Sequence, residues 1–225
     1  MSEDRPSNHG KKWSTHDRNR IFELHKHGYS FSEIARQFER TPASIELQLR
    51  EIFIRNNISR RNIKHLKHFT DKRNLPSIQK YGILPIEKII DREIEHYSND
   101  DQRLDKFKHG SCFSITNINK YLLNSYKSRF PEREWIEIVV DAEILCKSRC
   151  FYFSSNAAKN VFTTLRDDYD LCTPKAFEAM FAQSIPSSPF ASRAGKALNE
   201  TTCDQAEVII LGTIAKSRIL SWNPL

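Results

Sequence analysis

No run of the 225-residue chain approaches the roughly 20 apolar residues that a membrane-spanning helix needs, and the opening MSEDRPSNHGKK lacks the apolar core of a secretory leader. A cytoplasmic protein with no membrane partner is therefore expected. Cysteine is sparse: Cys112, Cys146, Cys150, Cys172 and Cys203 are odd in number and widely scattered, which excludes a disulfide framework and suits a reducing compartment. Cys146 and Cys150 have no second Cys or His pair behind them, and His65 and His68 have no carboxylate at metal-site spacing, so no metal is expected. Also missing are a GxGxxG turn, a P-loop, a G-x-S-x-G elbow, an HExxH helix, internal repeats and low-complexity tracts. A dinucleotide bound here is bound without a Rossmann turn.

What is present is a well-supplied core. Hydrophobic residues make up 39% of the chain, with 14 Phe, 7 Tyr and 3 Trp, and 28% charge keeps the fold in solution. The length suits one sizeable domain with a small appendage. The net charge of +7 is uneven, since residues 1–64 hold 13 Lys and Arg against 8 Asp and Glu, which leaves little excess for the rest. A basic module on a nearly neutral domain is the pattern of a part that meets phosphate joined to a part that does chemistry. A plain solvated basic face has the same composition.

From Trp13 the chain punctuates three helices. Ser14 with Asp17, and Ser30 with Glu33, are capping-box pairs, and Gly28 stops the first helix. Phe31, Ile34, Ala35 and Phe38 form the apolar stripe of the second. Thr41-Pro42 opens a third, with Ile45, Leu49, Ile52 and Phe53 on its buried face and Ser44, Gln48 and Arg50 opposite. Residues 13–55 resemble trihelical helix-turn-helix and Myb-like modules. That resemblance implies a DNA-binding unit that docks on duplex DNA, with Arg36, Arg40 and Arg55 at phosphates, although a protein-docking bundle needs the same apolar residues. Residues 56–64 are polar and basic, and read as a linker.

Beyond them, residues 65–225 read as an α+β domain. LKHFT, SCFSI, EWIEIVVDAEIL and QAEVIILGTI are strands, Asn74 to Tyr81 is a helix stopped by Gly82, a charged helical stretch surrounds Ile86 to His96, and Asn119 to Ser128 is a helix. SIPSSPFASRAG, residues 184–195, reads as a flexible surface loop. Glu207 stands at the mouth of a buried strand, where a carboxylate is costly unless used or paired. His68 and Thr70 bracket Phe69 and share one strand face, a candidate site floor. An outward-facing Glu207 and a satisfied core histidine remain open readings at this point.

The stretch HFTDKRNLPSIQKYGIL, followed in order by SCFSITN, EWIEIVVDAEIL, FYFSSNAAKN, KAFEAMFAQS and TTCDQAEVIILGTI, resembles the DarT family of ADP-ribosyltransferases over about residues 64–219. His68, Thr70, Asn74, Leu75, Pro76, Ile78 and Gly82 match its opening motif in register. The resemblance implies a split central β-sheet that holds NAD as ADP-ribose donor, transfer to a base of single-stranded DNA, and a role as a toxin or phage-defence effector, with a DarG-like macrodomain antitoxin as partner. It implies Glu207 as the catalytic carboxylate of a Gln-x-Glu motif, with Gln205 on the same strand face. His68, Phe69, Thr70, Asn74, Ser114 and Tyr121 become NAD contacts, and Gln205, Asn156 and Lys159 substrate contacts. The chemistry agrees: loss of nicotinamide leaves positive charge on the ribose, and a carboxylate beside it stabilises the transition state more than the ground state.

The pattern departs from the family at one place. Thymine-modifying members carry an arginine two positions after the Phe-Ser of the middle strand, and Thr116 stands there in this chain, so the missing charge falls to Lys120, Lys127, Arg129 or Lys159. This turns the expected base from thymine to guanine. A DNA-binding regulator on a decayed transferase scaffold, and a transferase acting on RNA or protein, are the competing readings.

Overall fold

The computed structural model describes residues 6–98, 107–159, 162 and 168–225. The chain forms two compact units, one ending at Asn57 and one beginning at Ile58.

In the first unit both capping boxes form: Ser14 opens α1 (Thr15–Lys26) with Asp17, and Ser30 opens α2 (Phe31–Phe38) with Glu33. Each satisfies two otherwise orphaned donors at the helix start. Glu39 in the left-handed region ends α2, and Thr41 Oγ1 accepts the Ser44 N–H as α3 (Pro42–Arg61) begins. Ile21, Ile34, Ala35, Ile45 and Leu49 make the core, with Trp13, Phe22, Phe31 and Phe38 packed around it. The Arg40 guanidinium lies 4.4 Å from the Trp13 ring centroid. Gln48, expected on the outer face of the third helix, is instead 8% exposed and accepts from Arg18 Nε at 3.1 Å. A neighbouring helix thus converts a surface position into a buried polar link.

The stretch expected as a linker is helical as far as Arg61. Ile54 and Ile58 are buried one turn apart, and Asn57 Nδ2 donates to the Phe53 carbonyl, so an apolar period does continue beneath the basic residues. Within the second unit Arg60 and Arg61 both pair with Glu178, and Arg61 lies 4.0 Å over the Phe181 ring. These contacts hold the helix end on the Pro174–Ala179 helix.

The second unit is α+β. Its six-stranded antiparallel sheet contains β1 (His65–Asp71), β2 (Gly110–Ile115), β3 (Trp135–Asp141), β4 (Cys150–Phe153), β7 (Glu207–Leu211) and β8 (Ile219–Pro224), ordered β4-β7-β2-β1-β3-β8. β1 pairs with β3 along its whole length, from His65↔Asp141 to Asp71↔Trp135. With β2 it pairs only at Leu66↔Ile115 and Lys67↔Ser114. The sheet therefore splits between β1 and β2, and the gap is where a ligand can reach main chain and side chains of both halves.

Three elements frame the gap. α4 (Leu75–Tyr81) follows β1 through a short turn of 3-10 helix, and Gly82 closes it with φ of 79°. A Cβ there would meet the Ile214 carbonyl oxygen at 2.1 Å, so the bridge between Ile83 and Ile214 requires glycine. α5 (Ile86–Asp91) is shorter than the helical stretch expected to His96. α6 (Lys120–Arg129) lays Tyr126 between Phe69 and Trp135, with centroids 6.0 and 5.9 Å away.

Two further expectations change. The strand expected to run through Leu145 stops at Asp141, whose carboxylate accepts the Glu143 N–H and starts the turn into α7 (Ile144–Lys147). The expected loop at 184–195 contains a hairpin, β5 (Ser184–Ile185) and β6 (Ser188–Ser192), tied down by buried Ile185 and by a 2.7 Å hydrogen bond between the Ser155 and Ser187 hydroxyls. Its Ser-Pro composition hid that anchoring.

Candidate active site

The split opens into a cleft of about 710 Å³, lined by β1, β2, α4, α6, the segment around Ile94–Ser98, and Asn156, Ala158 and Glu207. On the β1 side, where the ladder to β2 has ended, the His68 Nδ1 sits 2.8 Å from the Cys112 carbonyl oxygen. The imidazole thus stands in for a strand-to-strand hydrogen bond, and its ring packs against Phe113 with centroids 5.3 Å apart. A histidine can do this because its N–H reaches further than a backbone donor.

Two residues along, Thr70 accepts a hydrogen bond from Asn74 Nδ2 at 2.9 Å. The same Asn74 amide donates to the Tyr97 carbonyl and accepts the Tyr97 N–H, at 3.0 and 2.8 Å. It therefore pairs with Tyr97 as a strand neighbour would, and fixes the 94–98 segment as a wall of the cleft. Arg73 stacks on the Tyr97 ring at 3.8 Å, and Arg133 donates to the Ser98 carbonyl at 2.9 Å. Both arginines converge on Asp71, 1% exposed. Burial pushes the Asp71 carboxyl up, but hydrogen bonds from the Arg73 side chain and N–H, with the charges of Arg73 and Arg133, hold it below the ordinary carboxylate range.

Glu207 is the first residue of β7, across from Phe153 on β4, and is 8% exposed. Its Oε2 accepts the Ala157 N–H at 2.8 Å. That donor is aimed by packing, since Ala157 is buried among Phe151, Phe153, Leu171 and Ile209. The turn carrying it is shaped by Asn156, whose side-chain oxygen accepts the Ala158 N–H. A carboxylate so oriented meets a cleft bordered by the Ser114 hydroxyl group and the His68 ring, which suits it to act on positive charge developing in a bound ligand.

Of the residues expected in the site, His68, Phe69, Thr70, Asn74, Ser114, Asn156 and Glu207 line this cleft together. Tyr121 does not: it is 72% exposed, and Tyr126, five residues later on α6, faces the cleft. Lys159 is not among the lining residues, and its ammonium donates to the Ser187 carbonyl at 2.5 Å. Gln205 lies in the turn closed by the Ala206 N–H on the Cys203 carbonyl, before β7 begins, so the shared strand face expected with Glu207 does not exist. The FYFSSNAAKN motif is described as far as Lys159. Arg129, one of the cations expected to replace the absent arginine, lines the cleft, as do Asn119, Tyr126 and the 94–98 segment, which carry no site signal in the sequence. Asn119, expected as the first residue of a helix, caps α6 instead. Thr116, at the position of the absent arginine, has φ of 64° and turns its hydroxyl onto the Asn199 carbonyl at 2.6 Å.

A family model described as "ssDNA thymidine ADP-ribosyltransferase, DarT" matches residues 67–221, which span every cleft element above. The chain belongs to the DarT family. A helix-turn-helix domain model matches residues 9–51, the three capped helices. Among solved structures, Thermosipho africanus DarTG in complex with ADP-ribose is similar at 12% identity and a TM-score of 0.42, over 71% of this chain and 43% of that one. The chain thus spans less than half the length of that structure. No curated protein matches. Among the described residues no helix is long and apolar enough to cross a membrane, and no group of His, Cys, Asp and Glu is arranged to hold a metal ion.

Proposed function

We propose that this DarT-family chain transfers ADP-ribose from NAD to a base of single-stranded DNA. The observation that carries the reading is the Glu207 carboxylate, buried at the edge of a split-sheet cleft and oriented by the Ala157 N–H. The cleft volume of about 710 Å³ is of the size that encloses a dinucleotide-sized ligand. Glu207 orients the ribose and stabilises the charge that appears there as nicotinamide leaves, His68 and Thr70 hold the nicotinamide side, and Asn74 acts through the Tyr97 wall it fixes. Gln205 and Lys159 stay candidates for the DNA side, since neither occupies the cleft wall.

The base is guanine on this reading. The Thr116 side chain is spent on Asn199 and supplies no charge where thymine-modifying members carry arginine. The helix-turn-helix unit delivers the enzyme to duplex DNA, and the protein works as a cytoplasmic toxin or phage-defence effector restrained by a macrodomain antitoxin. The test is incubation with labelled NAD and separate pools of single-stranded DNA, RNA and protein, then with oligonucleotides each containing one base type. Label on DNA containing guanine supports the whole reading, label on thymine overturns the base alone, label only on RNA or protein overturns the substrate class, and no label in any pool leaves a DNA-binding regulator.

A further inference from the structure

Asn119 caps α6. Its side-chain oxygen accepts the Leu122 N–H at 3.0 Å and its carbonyl accepts the Leu123 N–H at 3.0 Å. The other end of the same amide is unused: Asn119 is 2% exposed, and its Nδ2 has no acceptor among the described residues. Buried amide donors nearly always have partners, and one left over marks the place of something else. Asn119 stands on the wall of the cleft together with Leu122.

The surroundings select the chemistry of that missing acceptor. α6 has ten residues, none of the first turn is acidic, and Lys120 is its first residue. A helix start carries roughly half a positive charge on its free N–H groups, and no acidic side chain in this turn offsets it. Arg129, the cationic cleft residue at the far end of α6, lies about 15 Å away by the helix rise, so it cannot serve this point. Lys67, the lysine on the cleft wall, is paired with Glu137 at 2.7 Å. The acceptor that fits is a phosphate oxygen. A DNA backbone would run over exposed surface, whereas this donor is sunk in the wall, which favours the diphosphate of a small ligand.

We infer that Asn119 and the N-terminus of α6 form the diphosphate seat of the cleft, with Asn119 Nδ2 donating to an anionic oxygen of the dinucleotide. The inference rests on the reading of the cleft as an NAD site, and it assigns to Asn119 a contact made by the donor that its capping role leaves over.

Asn119→Asp separates the two roles, because the aspartate keeps an oxygen to cap Leu122 and replaces the donor with negative charge. Full-length wild type and variant are titrated by calorimetry with NAD and ADP-ribose, and by ligand-observed NMR with nicotinamide riboside, which has no phosphate. The expected result is affinity at least about tenfold weaker for NAD and ADP-ribose, equivalent to about 1.4 kcal/mol, with the riboside changed less than about twofold. Asn119→Ser, which also caps, gives a smaller loss in the same direction and repeats the comparison if the aspartate variant does not fold. Unchanged NAD affinity, an equal loss for the riboside, or a loss confined to oligonucleotide binding each overturn the assignment while leaving the NAD reading intact. A wild-type protein that binds neither NAD nor ADP-ribose overturns that reading, and the diphosphate seat with it.

Discussion

Replacing Glu207 by Gln is the sharpest probe of the cleft, because it changes charge while leaving shape. The Gln side-chain oxygen can still accept the Ala157 N–H that the carboxylate now accepts at 2.8 Å, so the turn at 156–158 keeps its anchor. What disappears is a negative charge on an 8%-exposed side chain, where low local dielectric makes it count for more than in water. Groups that stabilise transition-state charge in such settings contribute about 2.7–4 kcal/mol, or about 10²–10³ in rate. The assay is single-turnover transfer of labelled ADP-ribose to a single-stranded oligonucleotide at saturating NAD, beside NAD affinity by calorimetry and a thermal melt. The expected result is the full rate loss with NAD affinity within about threefold and a melting temperature equal to or above wild type, since a buried charge has been removed. Transfer above about one tenth of the wild-type rate would refute the role of Glu207. A variant that fails to bind NAD would show that the carboxylate acts in the ground state.

His68→Ala and Asn74→Ala should each raise the NAD concentration needed for half-saturation before they lower the saturated rate; unchanged saturation in both would mean that β1 does not face the dinucleotide. Asp71→Asn should destabilise the protein at pH 7 by about 2 kcal/mol through weakened charged hydrogen bonds to Arg73. Because the folded Asp71 carboxyl lies below its usual 3.8, that stabilisation is complete above this value and vanishes as pH falls through the lower folded value, so wild type and variant should converge in acid melts. A chain beginning at Ile58 keeps the Arg60 and Arg61 contacts to Glu178 and should fold, yet bind DNA more weakly and with a flatter salt dependence. Equal binding at two salt concentrations would make the helical unit a protein-docking element.

Local signals were easy to read from the sequence and long-range ones were not. The Ser14-Asp17 and Ser30-Glu33 boxes and the Gly82 stop are set by residues within four positions of one another, and all three appear. His68, Thr70 and Glu207 were legible as polar residues set in apolar strands. That β1 leaves β2 after two pairs, and that an imidazole bridges to Cys112 there, depends on a partner 44 residues away. The phase of α6 has the same origin. Tyr121 and Tyr126 are alike in sequence, and only the packing of Tyr126 against Phe69 and Trp135 decides which of them turns inward. Gln48 was misread because the Arg18 that buries it comes from another helix.

The grip on Glu207 comes from a peptide N–H, and a peptide N–H is common to every amino acid except proline. The identity of the side chain at 157 therefore does not decide the grip, whereas Asn156 beside it does matter, because its side-chain oxygen holds the turn through the Ala158 N–H. Ala157 itself is restrained by size, walled in by Phe151 and Phe153, while its half-buried neighbour Ala158 lines the cleft and donates only its N–H to the turn. In a lineage under pressure to change what its cleft admits, position 158 can drift while Asn156 keeps the turn and the Ala157 N–H keeps the carboxylate aimed.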